Sequence, residues 1–147
     1  MIEKKNLVNA ITRIDAYKDI CIKNKSGFYN TKPIGGPPQP DYVNCVIELE
    51  TEMEPKRMLG EFKKIELELG RRPCVRWGPR IIDIDILLYG NRIINDHNIK
   101  IPHERMHERT FVLEPLCEIS PDFEHPVLRK TICELLKELR VSENINH

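Results

Sequence analysis

The sequence of 147 residues lacks several features that mark whole classes of protein. It has no apolar run of about 18 residues, the length that a membrane-spanning helix needs. Its first residues, MIEKKNLVNA, lack the apolar core of a secretory signal peptide. Lys and Arg together number 23, as do Asp and Glu, so no excess of positive charge favours a nucleic acid partner. We therefore expect neither a membrane nor a nucleic acid as partner.

The cysteines show no metal-binding or disulfide pattern. They are odd in number, scattered, and contain no C-x-x-C pair: Cys21, Cys45, Cys74, Cys117 and Cys133. Such a pattern is typical of free thiols in a reducing compartment. We therefore predict a cytoplasmic protein.

The spacing of apolar residues predicts a mixture of helices and strands. The Pro/Gly-rich stretch KPIGGPPQP at 32–40 is excluded from both. The predicted helices span about 4–16, 55–70, 103–109 and 127–140, and the predicted strands span about 20–30, 41–51 and 80–89. Mixed elements with hairpin-like links predict an α+β fold. We expect a single domain over 1–140, followed by a frayed tail over 141–147.

The strand DYVNCVIELET places an aromatic residue and an amide on one face. Because side chains alternate along a strand, Tyr42 and Asn44 lie together, opposite Val43 and Cys45. An aromatic ring can stack on a heterocycle while an amide reads its edge. Tyr42 and Asn44 therefore predict a planar ligand.

Two aspartates interrupt the apolar run in WGPRIIDIDILLYG, residues 77–90. On a strand, Asp83 and Asp85 share one face, with α-carbons about 6.5–7 Å apart. Two such carboxylates repel each other unless a cation lies between them, and hard oxygen ligands suit Mg²⁺. The alternative is a polar, solvated face of a sheet.

Basic residues flank the aspartates on both sides. Upstream lie Arg71, Arg72, Arg76 and Arg80, and downstream lie Arg105 and Arg109. Guanidinium groups beside a metal site stabilise the charge of a phosphoryl group in transfer. The segment therefore indicates phosphoryl chemistry.

A second motif, HERMH at 103–107, fits the H-E-x-x-H pattern of zinc proteases. That pattern needs a long helix and a further ligand. Pro102 opens the segment, however, and the following Thr110-Phe111-Val112 favours a strand. We therefore expect no zinc protease.

The block RWGPRIIDIDIL resembles the signature of the 6-hydroxymethyl-7,8-dihydropterin pyrophosphokinases. Similar stretches in the same order are FYNTKPIG at 28–35, QPDYVN at 39–44, IELELGR at 65–71 and PHERMHERTFVLEPL at 102–116. The resemblance runs from about residue 7 to 124. It implies a ferredoxin-like α/β sandwich with a mainly antiparallel sheet and helices packed on it.

The resemblance also implies an activity and a set of site residues. The enzyme would move pyrophosphate from ATP to the hydroxymethyl group of the pterin and release AMP, with two Mg²⁺ ions held by Asp83 and Asp85. Arg71 and Arg80 would engage the phosphates during transfer. Matched nucleotide positions are Glu66, Arg72, Trp77, Arg80, Ile86, Lys100, His103 and Arg109, and matched pterin positions are Thr31, Lys32, Ile34, Tyr42, Asn44 and Phe111.

The sequence departs from the family pattern at its start. Family members begin with a strand ending in Gly-Ser-Asn, and we expect that strand to be missing here. Either upstream residues are absent, which we favour, or another segment takes the place of the strand. Lys32 also occupies a position where Pro is common. One alternative is a catalytically inactive relative that binds nucleotide or pterin without the first strand. Neighbouring folate-pathway enzymes are further candidate partners.

Overall fold

The computed structural model describes residues 3–31, 42–70 and 82–145, and it combines helices with pairs of antiparallel strands. The elements are α1 (Lys4–Asp15), β1 (Ile20–Lys25), β2 (Tyr29–Thr31), β3 (Tyr42–Asn44), β4 (Ile47–Thr51), α2 (Pro55–Glu68), β5 (Ile94–Asn95), β6 (Lys100–Ile101), a 3₁₀ turn (Met106–Glu108), α3 (Thr110–Ile119) and α4 (Ile132–Ile145). The predicted α+β class is confirmed. The ferredoxin-like arrangement and the missing first strand stay predictions.

The chain divides into two compact units, Met1–Ile84 and Asp85–His147. The first unit contains α1, α2 and the strands β1 to β4, and the second contains the remaining elements. The expectation of a single domain over 1–140 stays a prediction.

Helices α1 and α2 form where apolar spacing predicts them. In α1 the buried residues are Ala10 and Ile14, and the helix packs against α2, β1 and β3. Helix α2 begins with Pro55. Proline is suited to the first position of a helix, because the N–H that it lacks would have no partner within the helix. The helix is followed by Gly70, whose φ of 114° lies in the left-handed region that glycine adopts at low cost.

The four strands of the first unit form two ladders that follow one another along the chain. Strand β1 pairs with β4 as far as Lys25↔Ile47, and pairing of β2 with β3 begins at Tyr29↔Asn44. Three residues on one side of this interruption therefore face two on the other. The two ladders do not join there, because residues 26–28 and 45–46 form no regular strand. The expectation of one unbroken strand on each side is wrong at this point.

Residues 82–89, called the aspartate segment below, carry no regular secondary structure. The strand expected there is therefore wrong for its described part. The backbone N–H of Ile84 donates to a carboxylate oxygen of Glu66 at 2.8 Å, and the carbonyl of Leu87 accepts from the N–H of His103 at 2.8 Å. These backbone groups bond to partners outside a strand ladder, which is why apolar content alone misled the prediction.

Helix α3 begins at Thr110, within the stretch that intrinsic propensity assigned to a strand. Leu113 and Leu116 are buried, and the helix packs against α4. Tertiary packing outweighs the weak strand preference, so the strand interpretation is wrong here. Pro115 lies inside the helix and, lacking an N–H, cannot donate to the carbonyl of Phe111.

Helix α4 begins and ends later than the predicted helix over 127–140. Thr131 and Glu134 form a reciprocal pair: each backbone N–H donates to the other's side chain, at 3.0 and 3.1 Å. This capping box fixes the first turn. The described part of the expected tail is helical, because α4 continues to Ile145.

Candidate active site

The aspartate segment carries both candidate metal-binding carboxylates. Asp83 is half-buried and Asp85 is exposed, whereas Ile82 is 1% exposed. Ile84 and Ile86 are half-buried like Asp83, so burial does not alternate strictly along the segment. Carboxylate oxygens are suitable donors for Mg²⁺.

Glu66 of α2 anchors the backbone at Ile84, between the two aspartates. The Glu66 side chain is 4% exposed, and it accepts the Ile84 N–H at 2.8 Å. A charged acceptor makes this bond stronger than one between neutral groups. This bond gives Glu66 a structural role beside the aspartates, and its expected nucleotide contact stays a prediction.

Strand β3 carries Tyr42 and Asn44 as alternate residues, and both are half-buried. Alternation along the strand places them on one face, as predicted. Across the β2–β3 ladder, Thr31 is the partner of Tyr42. The structure thus brings together three of the residues predicted to bind a pterin.

In the second unit, Arg109 and Phe111 lie at the start of α3. The Arg109 guanidinium carbon is 5.8 Å from the centroid of the Phe111 ring, within the range of a cation–π interaction. The ring is 39% exposed. An aromatic side chain with an accessible face can stack on a planar ligand.

Other described nucleotide candidates lie around β6. Lys100 Nζ is 2.9 Å from a carboxylate oxygen of Glu104, and this hydrogen bond holds the pKa of Glu104 below its ordinary value. His103 Nδ1 accepts the N–H of Arg105 at 3.3 Å, which leaves the proton of a neutral ring on Nε2. Ile86 is half-buried in the aspartate segment.

Six predicted site residues lie outside the described residues: Lys32, Ile34, Arg71, Arg72, Trp77 and Arg80. Their roles rest on the sequence.

The zinc-protease alternative does not fit the geometry. The H-E-x-x-H motif requires both histidines on one face of an α-helix. Instead, His103 precedes a short 3₁₀ turn, Met106–Glu108, that contains His107. Within residues 3–31, 42–70 and 82–145, no three His, Cys, Asp or Glu side chains are arranged to hold a metal ion. That result does not test Mg²⁺, because Mg²⁺ often takes only one or two carboxylates from the protein.

Two further features concern the cysteines and the helices. Cys21, Cys45, Cys117 and Cys133 are free thiols, as predicted for them. Among the helices of the described residues, none has the length and apolar character needed to span a membrane.

Sequence reasoning did not predict that two buried side chains, Glu66 and Ser26, hold backbone N–H groups in place. Glu66 had one signal, because it is a carboxylate on the apolar face of a predicted helix. Ser26 had none, although it is only 1% exposed and hydrogen-bonded to the segment after β3. Its partner is distant in sequence, and single-residue patterns do not report such pairs.

Comparison with known proteins places the chain in a family. The family model of the 7,8-dihydro-6-hydroxymethylpterin-pyrophosphokinases matches residues 2–121. The chain is 45% identical over 129 residues to a 2-amino-4-hydroxy-6-hydroxymethyldihydropteridine pyrophosphokinase of Haemophilus influenzae, covering 88% of this chain and 80% of that protein. A protein of the same name from Synechocystis is 37% identical over 134 residues, covering 91% and 68%.

A longer relative also matches. The folic acid synthesis protein fol1 of Pneumocystis carinii is 39% identical over 135 residues, which cover 92% of this chain and 18% of that protein. Since the family model spans most of the sequence and two relatives align over most of their own length, the chain belongs to the 7,8-dihydro-6-hydroxymethylpterin-pyrophosphokinase family.

Proposed function

We propose that this protein transfers pyrophosphate from ATP to 6-hydroxymethyl-7,8-dihydropterin, giving the pterin diphosphate and AMP in folate biosynthesis. Family membership carries this proposal, because the relatives that align over most of their length are named pyrophosphokinases. The same names favour an active enzyme over an inactive relative.

We propose that Asp83 and Asp85 hold two Mg²⁺ ions. The donor set supports this assignment, since neither aspartate is buried and both offer hard oxygen atoms. When bound, Mg²⁺ would neutralise charge on the phosphate oxygens of ATP. Glu66 supports the site by fixing the backbone at Ile84.

The pterin assignment rests on the chemistry of two faces. Tyr42 on β3 and Phe111 on α3 each offer an aromatic ring, and Asn44 offers one donor and one acceptor to the polar edge of the heterocycle. The proposed backbone contacts come from residues 31–34, of which Thr31 pairs with Tyr42.

The nucleotide assignment relies on cations and polar groups. We propose that Arg71 and Arg80 bind phosphate oxygens during transfer, where guanidinium groups would stabilise developing charge. His103 is suited to donate a hydrogen bond from Nε2, because its Nδ1 is occupied by the Arg105 N–H. The remaining proposed contacts are Glu66, Arg72, Trp77, Ile86, Lys100 and Arg109.

We also propose that the protein acts in the cytoplasm, a reducing compartment that suits the free thiols of its described cysteines. Association with neighbouring folate-pathway enzymes is supported by fol1, in which the matching region is a small part of a longer folic acid synthesis protein.

The test is a turnover assay on this chain with ATP, Mg²⁺ and 6-hydroxymethyl-7,8-dihydropterin, in which AMP is measured. AMP that forms only when the pterin is present, and that disappears when Mg²⁺ is chelated, is the expected result. A folded protein that forms no AMP, or forms it equally without pterin, contradicts the proposal.

A further inference from the structure

Ser26 joins the two strand ladders of the first unit at their interruption. Its backbone N–H donates to the carbonyl of Val46 at 2.9 Å, as in an ordinary ladder. The return bond is different, because the Val46 N–H donates to the Ser26 side-chain oxygen, also at 2.9 Å. A hydroxyl therefore takes the place of a backbone carbonyl where three residues face two.

The hydroxyl of Ser26 both accepts and donates a hydrogen bond in this position. Its oxygen accepts from Val46, and its proton is donated to the carbonyl of Gly27 at 2.8 Å. The residue is 1% exposed, so water cannot easily replace either bond. The side chain thus fixes how the chain leaves β1 and how the opposite chain enters β4.

Cys45 adds a second contact directly after β3. Its thiol donates to the carbonyl of Ser26 at 3.5 Å, and its sulfur lies 3.6 Å from the Ser26 hydroxyl oxygen. Both residues that follow Asn44 are therefore bonded to Ser26. Ser26 therefore holds the backbone directly after the Asn44 end of β3.

We propose that Ser26 is a positioning residue for the pterin, acting through the Cys45–Val46 link on Asn44 and Tyr42. The inference rests on the proposed function, because it assumes that β3 binds the pterin. Ser26 does not need to touch the substrate. Loss of the Ser26 hydroxyl would let β3 shift relative to the β1–β4 ladder. Asn44 would bind the pterin through directional hydrogen bonds, which are sensitive to small displacements.

Ser26→Ala removes the acceptor for the Val46 N–H while keeping the backbone bonds. Thr51→Ala is a matched control at the other end of β4. The Thr51 hydroxyl also makes two bonds to backbone, donating to the Asp19 carbonyl at 2.6 Å and accepting from the Met53 N–H at 3.1 Å. Both variants lose comparable bonds on the same ladder, but only Ser26 adjoins β3.

The measurement is the KM for pterin and the KM for ATP, each with kcat, together with the melting temperature. Ser26→Ala is expected to raise the KM for pterin about tenfold, the factor that corresponds to about 1.4 kcal/mol or one hydrogen bond. The KM for ATP should change less than about twofold, while Thr51→Ala should lower the melting temperature and leave both KM values unchanged. Tyr42→Ala serves as the positive control for weakened pterin binding.

An unchanged KM for pterin in a folded Ser26→Ala, or equal rises for both substrates, overturns the inference and leaves the proposed function standing. Wild-type protein that forms no AMP with pterin overturns both. If Ser26→Ala does not melt cooperatively, Ser26→Cys replaces it. Sulfur is a weak acceptor of similar placement, and the same selective rise in the KM for pterin decides the outcome.

Discussion

Helices α3 and α4 and the aspartate segment are held in place in different ways. The helices share an apolar interface that buries Leu113, Leu116, Leu135 and Leu136. On the surface, an ion pair and a hydrogen bond between the two helices contribute little to the free energy of unfolding. Their stability is therefore distributed over many contacts.

The aspartate segment instead relies on individual hydrogen bonds at defined atoms. Within the described residues, Ile84 is bonded to Glu66 and Leu87 to His103. Each such bond fixes a backbone position that no ladder or helix supports. The comparison teaches that the residues proposed for chemistry depend on a few anchors, so substitutions there should affect activity more than stability.

The sharpest test of this difference removes one carboxylate. Asp83→Asn or Asp85→Asn should lower kcat at least about 100-fold, since a metal-binding charge is lost, while the melting temperature stays close to wild type. Steady-state AMP formation and thermal unfolding measure the two effects. Asp122→Asn, at an exposed turn, is the control that should keep full activity. A site variant that retains more than about a tenth of wild-type turnover would refute the metal role.

A second test weakens the anchor without touching the aspartates. Glu66→Leu removes the acceptor of the Ile84 N–H, and the unsatisfied group should cost about 1–3 kcal/mol of stability. Its kcat should fall about tenfold or more, because the backbone between the aspartates is released. Glu66→Gln keeps an acceptor oxygen and should lose less on both measures. If the two variants lose equal activity, the charge of Glu66, not the bond to Ile84, is what matters.

The connection before α4 offers a third test, because a buried histidine there also depends on specific bonds. His125 Nδ1 accepts the N–H groups of Val127 at 3.2 Å and Leu128 at 3.1 Å. Burial lowers the pKa of His125 below its ordinary value of 6.5, with a smaller contribution from nearby His107. The unfolded chain therefore takes up a proton at a higher pH than the folded chain.

Stability should consequently fall as the pH drops below about 6.5 toward the lowered folded pKa, by at most about 1.4 kcal/mol per pH unit from this group. Above that pH the free energy of unfolding should not change with pH on account of His125. Urea unfolding between about pH 5 and 8 measures the effect. His125→Asn offers an acceptor that does not titrate in this range and should show a smaller slope. Equal slopes in the two proteins would assign the pH dependence elsewhere.

The smallest effect is expected at the α4 cap. Thr131→Ala removes the acceptor of the Glu134 N–H and should cost about 1 kcal/mol, with no change in kcat. Thr12→Ala is the control, because the Thr12 hydroxyl bonds to the Val8 carbonyl within α1 and contributes little there. A large loss of activity in Thr131→Ala would show that α4 is coupled to the chemistry.

Local patterns in the sequence predicted the features that depend on periodicity. Apolar spacing gave α1 and α2, and strand alternation placed Tyr42 and Asn44 on one face. The interruption between β1 and β2 was missed because Ser26 bonds to Val46, a residue far along the chain. The irregular backbone of the aspartate segment was missed for the same reason, since the N–H of Ile84 bonds to a side chain on α2 and not to a neighbouring strand.

The proline inside α3 has a consequence for local unfolding. Because Pro115 has no N–H, the carbonyl of Phe111 lacks the donor that a regular helix would supply. The first turn of α3 therefore opens by breaking one bond fewer than a turn farther along. Phe111, with its exposed ring, lies on the part of the helix whose amide groups should exchange with solvent at the lowest free energy. An aromatic side chain on such a turn can adjust to a ligand without unfolding the helix behind it.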